Sequence, residues 1–223
     1  MKKVCLGLGL FVVILVIAVG CSKQPEAAIL SEAHALEQAG QHYKAITQYD
    51  VLVKVYPQSQ RRSEVLFRNG LISFYGLKDF TKAEHYFSRI LDEAPRSAYG
   101  EGARTLIDFM HSEESADSAE ALYHSGIAYT NLLDEFDLGV SLLESITQKY
   151  PDARRAAEAQ FMKGFVWANT ASDTAKARVE YERFLSMYPT HELATSVKWE
   201  LNYLGRDINE IPEMKGLVNP SDG

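Results

Sequence analysis

The sequence predicts an all-α solenoid built from antiparallel helix hairpins, and a recurring pattern carries this prediction. Within residues 158–189, apolar residues recur at helical spacing in two blocks that flank a polar turn at 169–173. A proline closes this unit, because proline cannot continue a helix. A small residue, then an apolar or aromatic residue, then a proline stand at matching spacing in four places: Ala45, Tyr49 and Pro57; Ala83, Phe87 and Pro95; Gly139, Leu143 and Pro151; Ala177, Tyr181 and Pro189.

This spacing has a physical reason in the packing of one helix on another. The small residue is expected where two helices touch, and the side chain four residues later fills the next gap on the same face. Gly70, Gly126 and Gly164 are expected to make similar close contacts on the first helices, and Asp173 is expected to cap the start of a second helix. One hairpin cannot bury its apolar face alone, whereas stacked hairpins can.

The chain reads as an internal duplication with an offset of 94 residues, because Pro57 and Pro95 correspond to Pro151 and Pro189. Each half is predicted to contain two hairpins and a capping helix. We expect helices near 29–39, 41–56, 61–76, 79–93, 97–111 and 192–205, with a second pair of hairpins over 120–188. The halves are predicted at 29–111 and 119–205, with an acidic linker at 112–118 and a loose tail at 206–223. The pattern leaves open whether the halves stack rigidly or hinge at the linker.

Residues 1–20 are predicted to be a signal peptide rather than part of the fold. Lys2 and Lys3 precede an unbroken apolar run at 4–19, and Cys21 follows it. Residues 21–28 then form a short tether. The alternative is an uncleaved transmembrane anchor, since the run nearly spans a bilayer. In either case the body is expected to face away from the cytoplasm.

Composition excludes several function classes. The 223 residues carry a net charge of −7, which disfavours nucleic-acid binding. Both cysteines, Cys5 and Cys21, lie in or beside the apolar segment, so the body has no disulfide and no thiolate metal site. The six histidines lack ligand spacing, and no nucleophile elbow or phosphate loop is present. We therefore expect no metal, no cofactor and no catalytic residue.

An acidic stretch runs through the middle of the chain without an intervening lysine or arginine. One interpretation is a solvated linker followed by helix N-termini, where the helix dipole favours acids. The other is a docking surface for a basic partner. The acids concerned are Glu113, Glu114, Asp117, Glu120, Asp134, Glu135 and Asp137.

The repeated pattern resembles the second helix of a tetratricopeptide repeat (TPR). This resemblance implies a TPR-like α-solenoid whose first helices line a concave groove that binds other proteins or peptide segments. The spacings from Gly70 to Ala83 and from Gly164 to Ala177 are one residue longer than is usual, so the register of the first helices is open by one residue. The expected groove residues are Arg68, Tyr75, His124, Asn131, Met162 and Asn169.

The end of the apolar run, residues 17–21, resembles a bacterial lipobox. The resemblance implies cleavage after Gly20, a diacylglycerol on Cys21 and acylation of the new N-terminus. Ala18 departs from the commonest spelling, which has leucine there. Ser22 after the cysteine implies the outer membrane, with the body in the periplasm.

Two families of envelope TPR proteins resemble the whole mature chain. The lipobox, the short tether and the segment 45–48 are similar to the outer-membrane assembly lipoprotein BamD. The segment 173–181, followed by Tyr188 and Pro189, is similar to the periplasmic TPR coordinator of the Tol-Pal system, but that family usually carries a coiled coil and no lipid. The first resemblance is therefore favoured, and it implies a non-enzymatic scaffold in outer-membrane protein assembly. A TPR adaptor of another pathway is a further alternative, and the oligomeric state is left open.

Overall fold

The computed structural model describes residues 23–112 and 118–206, and this part of the chain forms ten α-helices and no strand. The predicted all-α solenoid is confirmed, and each expected helix is present within a few residues of its predicted bounds. The helices are α1 (Glu26–Gln38), α2 (His42–Val55), α3 (Arg62–Leu71), α4 (Phe80–Glu93), α5 (Ala98–Met110), α6 (Ser118–Leu132), α7 (Phe136–Lys149), α8 (Ala156–Phe165), α9 (Thr174–Met187) and α10 (Ala194–Tyr203).

Consecutive helices pack as hairpins, with α1 on α2, α3 on α4, α6 on α7 and α8 on α9. Each hairpin turn contains one residue in the left-handed region, five positions before the small residue of the second helix. Glycine adopts this conformation without strain at Gly40 (φ 67°), whereas the other three turns use Lys78, Asp134 and Ser172 (φ 53–55°). The four turns therefore place a left-handed residue at the same position despite different sequences.

Two first helices end in a π-helical turn. Helix α3 continues as a π-helical turn over Ile72–Gly76, and α8 does so over Val166–Thr170. The long spacing of 13 residues from the first-helix glycine to the small residue of the second helix occurs in both of these hairpins. The same spacing separates Gly126 from Gly139 in the α6–α7 hairpin, where α6 has no π turn. The π turns therefore do not by themselves account for the long spacing.

The second helices of the same two hairpins begin at a side-chain cap. Asp173 Oδ1 accepts a hydrogen bond from the Lys176 backbone N–H at 3.0 Å, which confirms the predicted cap. Asp79 makes the same 3.0 Å bond with Lys82 N–H in the first half. Each cap satisfies one of the free N–H groups at a helix start.

The two halves of the chain share one hydrophobic core that runs through α1 to α7. Phe67 and Phe74 from the first half are buried in the same cluster as Ala128 and Tyr129 from α6. Helix α6 packs both on α7 and on the π-helical turn that follows α3. Residues of helices α6 to α10 form two smaller apolar clusters. Buried side chains on both sides of residues 113–117 therefore hold the halves together.

Candidate partner-binding surfaces

Arg68, predicted to face a groove, is instead one of the most deeply buried polar residues, with 3% of its side chain exposed. Its guanidinium nitrogens donate to Glu37 at 3.0 Å, to Glu64 at 3.2 Å and to Glu135 at 2.9 Å. Glu37 of α1 and Glu135 of the turn after α6 enclose the guanidinium from two sides. A partner therefore cannot reach Arg68 in the folded chain, and its assignment to an accessible groove is corrected.

The carboxylate of Glu37 is the other centre of this buried network. Tyr49 Oη donates to Glu37 at 2.5 Å, and Tyr129 Oη donates to its second oxygen. Burial raises the pKa of Glu37, whereas the Arg68 charge and the two tyrosine hydroxyls act in the opposite direction. Because Tyr129 belongs to α6, the network ties the second half to the first. We call Glu37, Tyr49, Glu64, Arg68, Tyr129 and Glu135 the Glu37–Arg68 network.

A second buried cation lies in the second half. Lys163 is 1% exposed, and its ammonium contacts Glu144, Glu180 at 2.9 Å and Gln160 at 3.2 Å. Burial lowers the pKa of Lys163, and the hydrogen bond to Glu180 opposes that shift. The equivalent residue 94 positions earlier is Asn69, which donates to Asp50 at 2.9 Å. Both halves therefore place a hydrogen-bonded polar group at this buried position.

Two of the predicted groove residues line the same cleft. His124 and Asn131 border a cleft of about 230 Å³ between α5 and α6, together with Phe67 and Leu106. Tyr75 lies elsewhere, half-buried, with its ring 5.9 Å from that of Tyr129.

The remaining predicted residues lie on α8 and the π turn after it. Met162 is half-buried against an apolar cluster that includes Leu143 and Ile146. Asn169 is exposed, and its amide donates to the Phe165 carbonyl at 3.2 Å. The six predicted residues thus occupy several different environments.

A further open groove lies on the first helix, which the sequence prediction did not consider. This α1 groove has a volume of about 650 Å³. Its lining recurs every three or four residues along α1, a helical stripe that could have been recognised in the sequence. The lining residues are Glu26, Ala27, Leu30, Ser31, His34, Ala35, Gln38 and Arg61.

His34 is the most perturbed titratable group of the α1 groove. Its Nε2 lies 3.9 Å from Glu64 Oε1 and has no hydrogen-bond partner among the described residues. Burial, and then the nearby charge of Arg68, lower the pKa of His34. The imidazole is therefore neutral at pH 7 and, because its Nε2 is itself buried, it borders the groove as an uncharged aromatic ring.

A second opening adjoins the first at Gln38, which lines both. This acidic–aromatic cleft has a volume of about 430 Å³ and lies beside the α6–α7 turn. The Lys176 ammonium lies 3.9 Å from the centre of the Trp167 ring and 4.0 Å from Asp137 Oδ1. The residues that line the acidic–aromatic cleft are Gln38, Asp134, Glu135, Phe136, Asp137, Leu138, Ser141 and Trp167.

The predicted acidic stretch is divided by the fold. Glu120 is 2% exposed and accepts from Arg154 at 2.7 Å and Arg155 at 2.9 Å, so it is not a solvated helix-start acid. Asp134 and Asp137 do reach the surface at the acidic–aromatic cleft. Glu113, Glu114 and Asp117, like Cys21 and the tail after 206, lie outside the described residues.

The described residues offer no metal-binding cluster of three or more His, Cys, Asp or Glu side chains. Their buried charges, Glu37, Arg68, Glu120 and Lys163, are each held by oppositely charged partners, as structural charges are. In residues 23–112 and 118–206, no helix is long and apolar enough to cross a membrane.

Comparison with known proteins supports the repeat assignment. A family model described as a tetratricopeptide repeat matches residues 28–59 and 120–153. These segments correspond to the α1–α2 and α6–α7 hairpins, the first hairpin of each predicted half. No curated protein matches the chain. The chain therefore contains tetratricopeptide repeats, arranged in an all-α solenoid.

Proposed function

We propose that this protein is a non-enzymatic, lipid-anchored scaffold that binds segments of other proteins in the bacterial envelope. One observation carries the binding part: the α1 groove and the acidic–aromatic cleft adjoin at Gln38 on the first helix of a TPR hairpin. First helices line the concave face of such solenoids, where partner segments bind. A groove that mixes His34 and Leu30 with exposed amide and hydroxyl groups suits a polypeptide with both apolar and polar side chains.

The membrane part of the proposal is supported by the sequence. Lys2 and Lys3, the apolar run and Cys21 have the order of a lipoprotein leader. Attachment depends on the lipid, because the acidic body does not favour anionic membrane surfaces, and stable attachment requires more than one acyl chain. With Ser22 after the cysteine, we place the protein at the outer membrane, facing the periplasm.

The favoured pathway is outer-membrane protein assembly, as for BamD, because a lipid anchor and a short tether lead directly into the repeats. The alternatives are a Tol-Pal or division-linked coordinator and a TPR adaptor of another pathway. Cross-linking in intact cells through an affinity tag distinguishes them. Recovery of β-barrel insertase components supports the first, and recovery of Tol-Pal or peptidoglycan-synthesis proteins supports the second.

Lipidation can be tested separately from partner binding. We expect Cys21→Ala to yield a full-length precursor that incorporates no labelled palmitate, because the acylated thiol is removed. Cys5→Ala, which changes the other cysteine of the same segment, should still be labelled and cleaved. Palmitate label on the Cys21→Ala protein would rule out lipidation at this residue.

Use of the α1 groove can be tested by filling it. Ala35→Trp places an indole in the groove from an exposed position and should reduce partner recovery by about tenfold, a typical effect of blocking an interface centre. Ala28→Trp is the matched control, since Ala28 is also exposed on α1 but does not line the groove. Both variants should melt like the wild type. Equal recovery with the two variants would exclude the groove as the binding site.

A further inference from the structure

A basic cleft lies between α2 and α4, on helices that do not line the α1 groove. Its volume is about 480 Å³. Most of its lining is basic, although the whole chain carries a net charge of −7. The basic side chains are Lys54, Arg62, Lys82, His85 and Arg89.

The charge of this basic cleft is only partly neutralised by nearby carboxylates. Asp50 is the one carboxylate among the described residues that line it, and it accepts hydrogen bonds from Asn69 at 2.9 Å and from the Tyr86 hydroxyl at 2.9 Å. Arg62 is held by both oxygens of Glu93, at 2.6 and 2.8 Å. By contrast, no ion pair joins Lys54, Lys82 or Arg89 to any described residue. Three cationic side chains therefore remain available to a ligand.

The second half of the chain provides an internal comparison. Ninety-four residues later, Lys54, Arg62 and His85 are replaced by Gln148, Ala156 and Val179. The charge balance there differs as well, because Glu180 stands where the first half has a tyrosine. The two cations that persist are both engaged: Lys176 lies 3.7 Å from Asp173 and Arg183 lies 3.4 Å from Glu144. The same place in the fold is thus charge-balanced in one half and cationic in the other.

We propose that the basic cleft binds an acidic polypeptide segment, an inference that rests on the proposed polypeptide-binding function and adds a second surface to it. Lys82 and Arg89 lie seven residues apart on α4, or about 10 Å along the helix axis. That separation exceeds the width of one phosphate group but matches carboxylates spaced along a peptide. Val53, Pro57 and Tyr86 add an apolar wall beside the cations. Opposite charge across such a surface increases both association rate and specificity.

The test uses the full-length protein in detergent and a fluorescein-labelled decaglutamate peptide, followed by fluorescence anisotropy. We expect decaglutamate to bind, and binding to weaken as salt rises from about 0.05 M to about 0.2 M, because the contacts are exposed charges. Labelled decalysine should not bind the cleft. The double variant Lys54→Glu and Arg89→Glu should weaken decaglutamate binding by about tenfold or more.

Two further variants separate the cleft from net charge and from folding. Arg104→Glu with Lys198→Glu makes the same charge change at exposed residues outside the cleft and should bind nearly as the wild type does. Lys54→Gln installs the residue found at the equivalent position of the second half and should weaken binding by about threefold without lowering the melting temperature. Equal loss in the cleft variant and the distant double variant would overturn the proposal.

The remaining outcomes identify other occupants. If millimolar pyrophosphate competes fully with decaglutamate, the ligand of the basic cleft is a phosphate group and not an acidic peptide. If phosphatidylglycerol vesicles bind and decaglutamate does not, the ligand is a lipid headgroup. The Ala35→Trp variant should bind decaglutamate normally, because its groove is a different surface. A variant that loses partner recovery in cells but still binds decaglutamate therefore reports on the α1 groove alone. A variant that keeps partner recovery but no longer binds decaglutamate reports on the basic cleft alone.

Discussion

Arg68→Leu is expected to lower the free energy of unfolding by about 3–5 kcal/mol, because it leaves the Glu37 carboxylate buried without its countercharge. Glu37 has no exposed side-chain surface, and Arg68 is its one cationic partner among the described residues. The two tyrosine hydroxyls that remain can satisfy the carboxylate's hydrogen bonds but not its charge. Urea unfolding followed by circular dichroism measures the change.

Arg61→Leu is the matched control for this substitution. Arg61 also pairs with Glu64, at 3.2 Å, but 56% of its side chain is exposed. Exposed pairs contribute roughly 0–1 kcal/mol, so this variant should remain close to the wild type. Equal losses from Arg61→Leu and Arg68→Leu would show that burial of the Glu37–Arg68 network does not matter for stability.

The pH dependence of the Arg68→Leu loss gives an independent check. Burial raises the pKa of Glu37, and removing the Arg68 charge raises it further. A carboxyl whose folded pKa is raised favours the fold at low pH and disfavours it as pH rises through that pKa. The deficit of the variant relative to the wild type should therefore shrink as pH falls from 7 toward 4.5. A deficit that grows on acidification would contradict the assignment of Glu37 as the unpaired group.

The helices and their close contacts could be predicted because they depend on local spacing. Asp173 as a cap and the small residues at Ala83 and Ala177 follow from residues three to five positions apart. The buried role of Arg68 depends instead on Glu37 and Glu135, which are 31 and 67 residues away in sequence. No periodic pattern reports contacts of that range.

One local signal of the network was nevertheless present in the sequence. Glu37 falls on the same helical stripe as Leu30 and Ala33, which places a carboxylate on a buried face. A buried carboxylate requires a cation and hydrogen-bond donors. This requirement predicts an inward-facing basic side chain on another helix. The sequence could indicate that Glu37 needed such a partner, but not that α6 would cover it.

Substituting alanine at Gly70 or Gly164 is expected to destabilise the fold by about 1–3 kcal/mol through overpacking. A Cβ atom at Gly164 would lie 2.4 Å from Cδ1 of Tyr181, and one at Gly70 would lie 2.3 Å from Cε1 of Phe87. Both rings are fully buried, so neither can move without displacing its neighbours. Alanine favours helix over glycine by roughly 1 kcal/mol, which reduces the loss but does not reverse it. Thermal and urea unfolding measure the difference.

Gly126→Ala is the matched control, because Gly126 occupies the equivalent position of the α6–α7 hairpin. There the facing side chain is Leu143 instead of an aromatic ring, and the nearest atoms to a Cβ are Leu143 Cγ and the Gly139 carbonyl oxygen, both at 3.1 Å. A shift of a few tenths of an ångström accommodates the methyl group, so the helix propensity of alanine offsets most of the strain. This variant should remain within about 1 kcal/mol of the wild type.

A double-mutant cycle identifies the aromatic ring as the cause of the difference. Tyr181→Leu gives the α8–α9 hairpin the side chain that Leu143 supplies in α7. In that background, the loss in free energy of unfolding caused by Gly164→Ala should be smaller than the loss beside tyrosine, by at least about 1 kcal/mol. Additive losses in this cycle would mean that the glycine is required by something other than the ring. If Gly70→Ala and Gly164→Ala instead stabilise the fold, helix propensity exceeds packing at these contacts, and the spacing of small and aromatic residues does not reflect close helix approach.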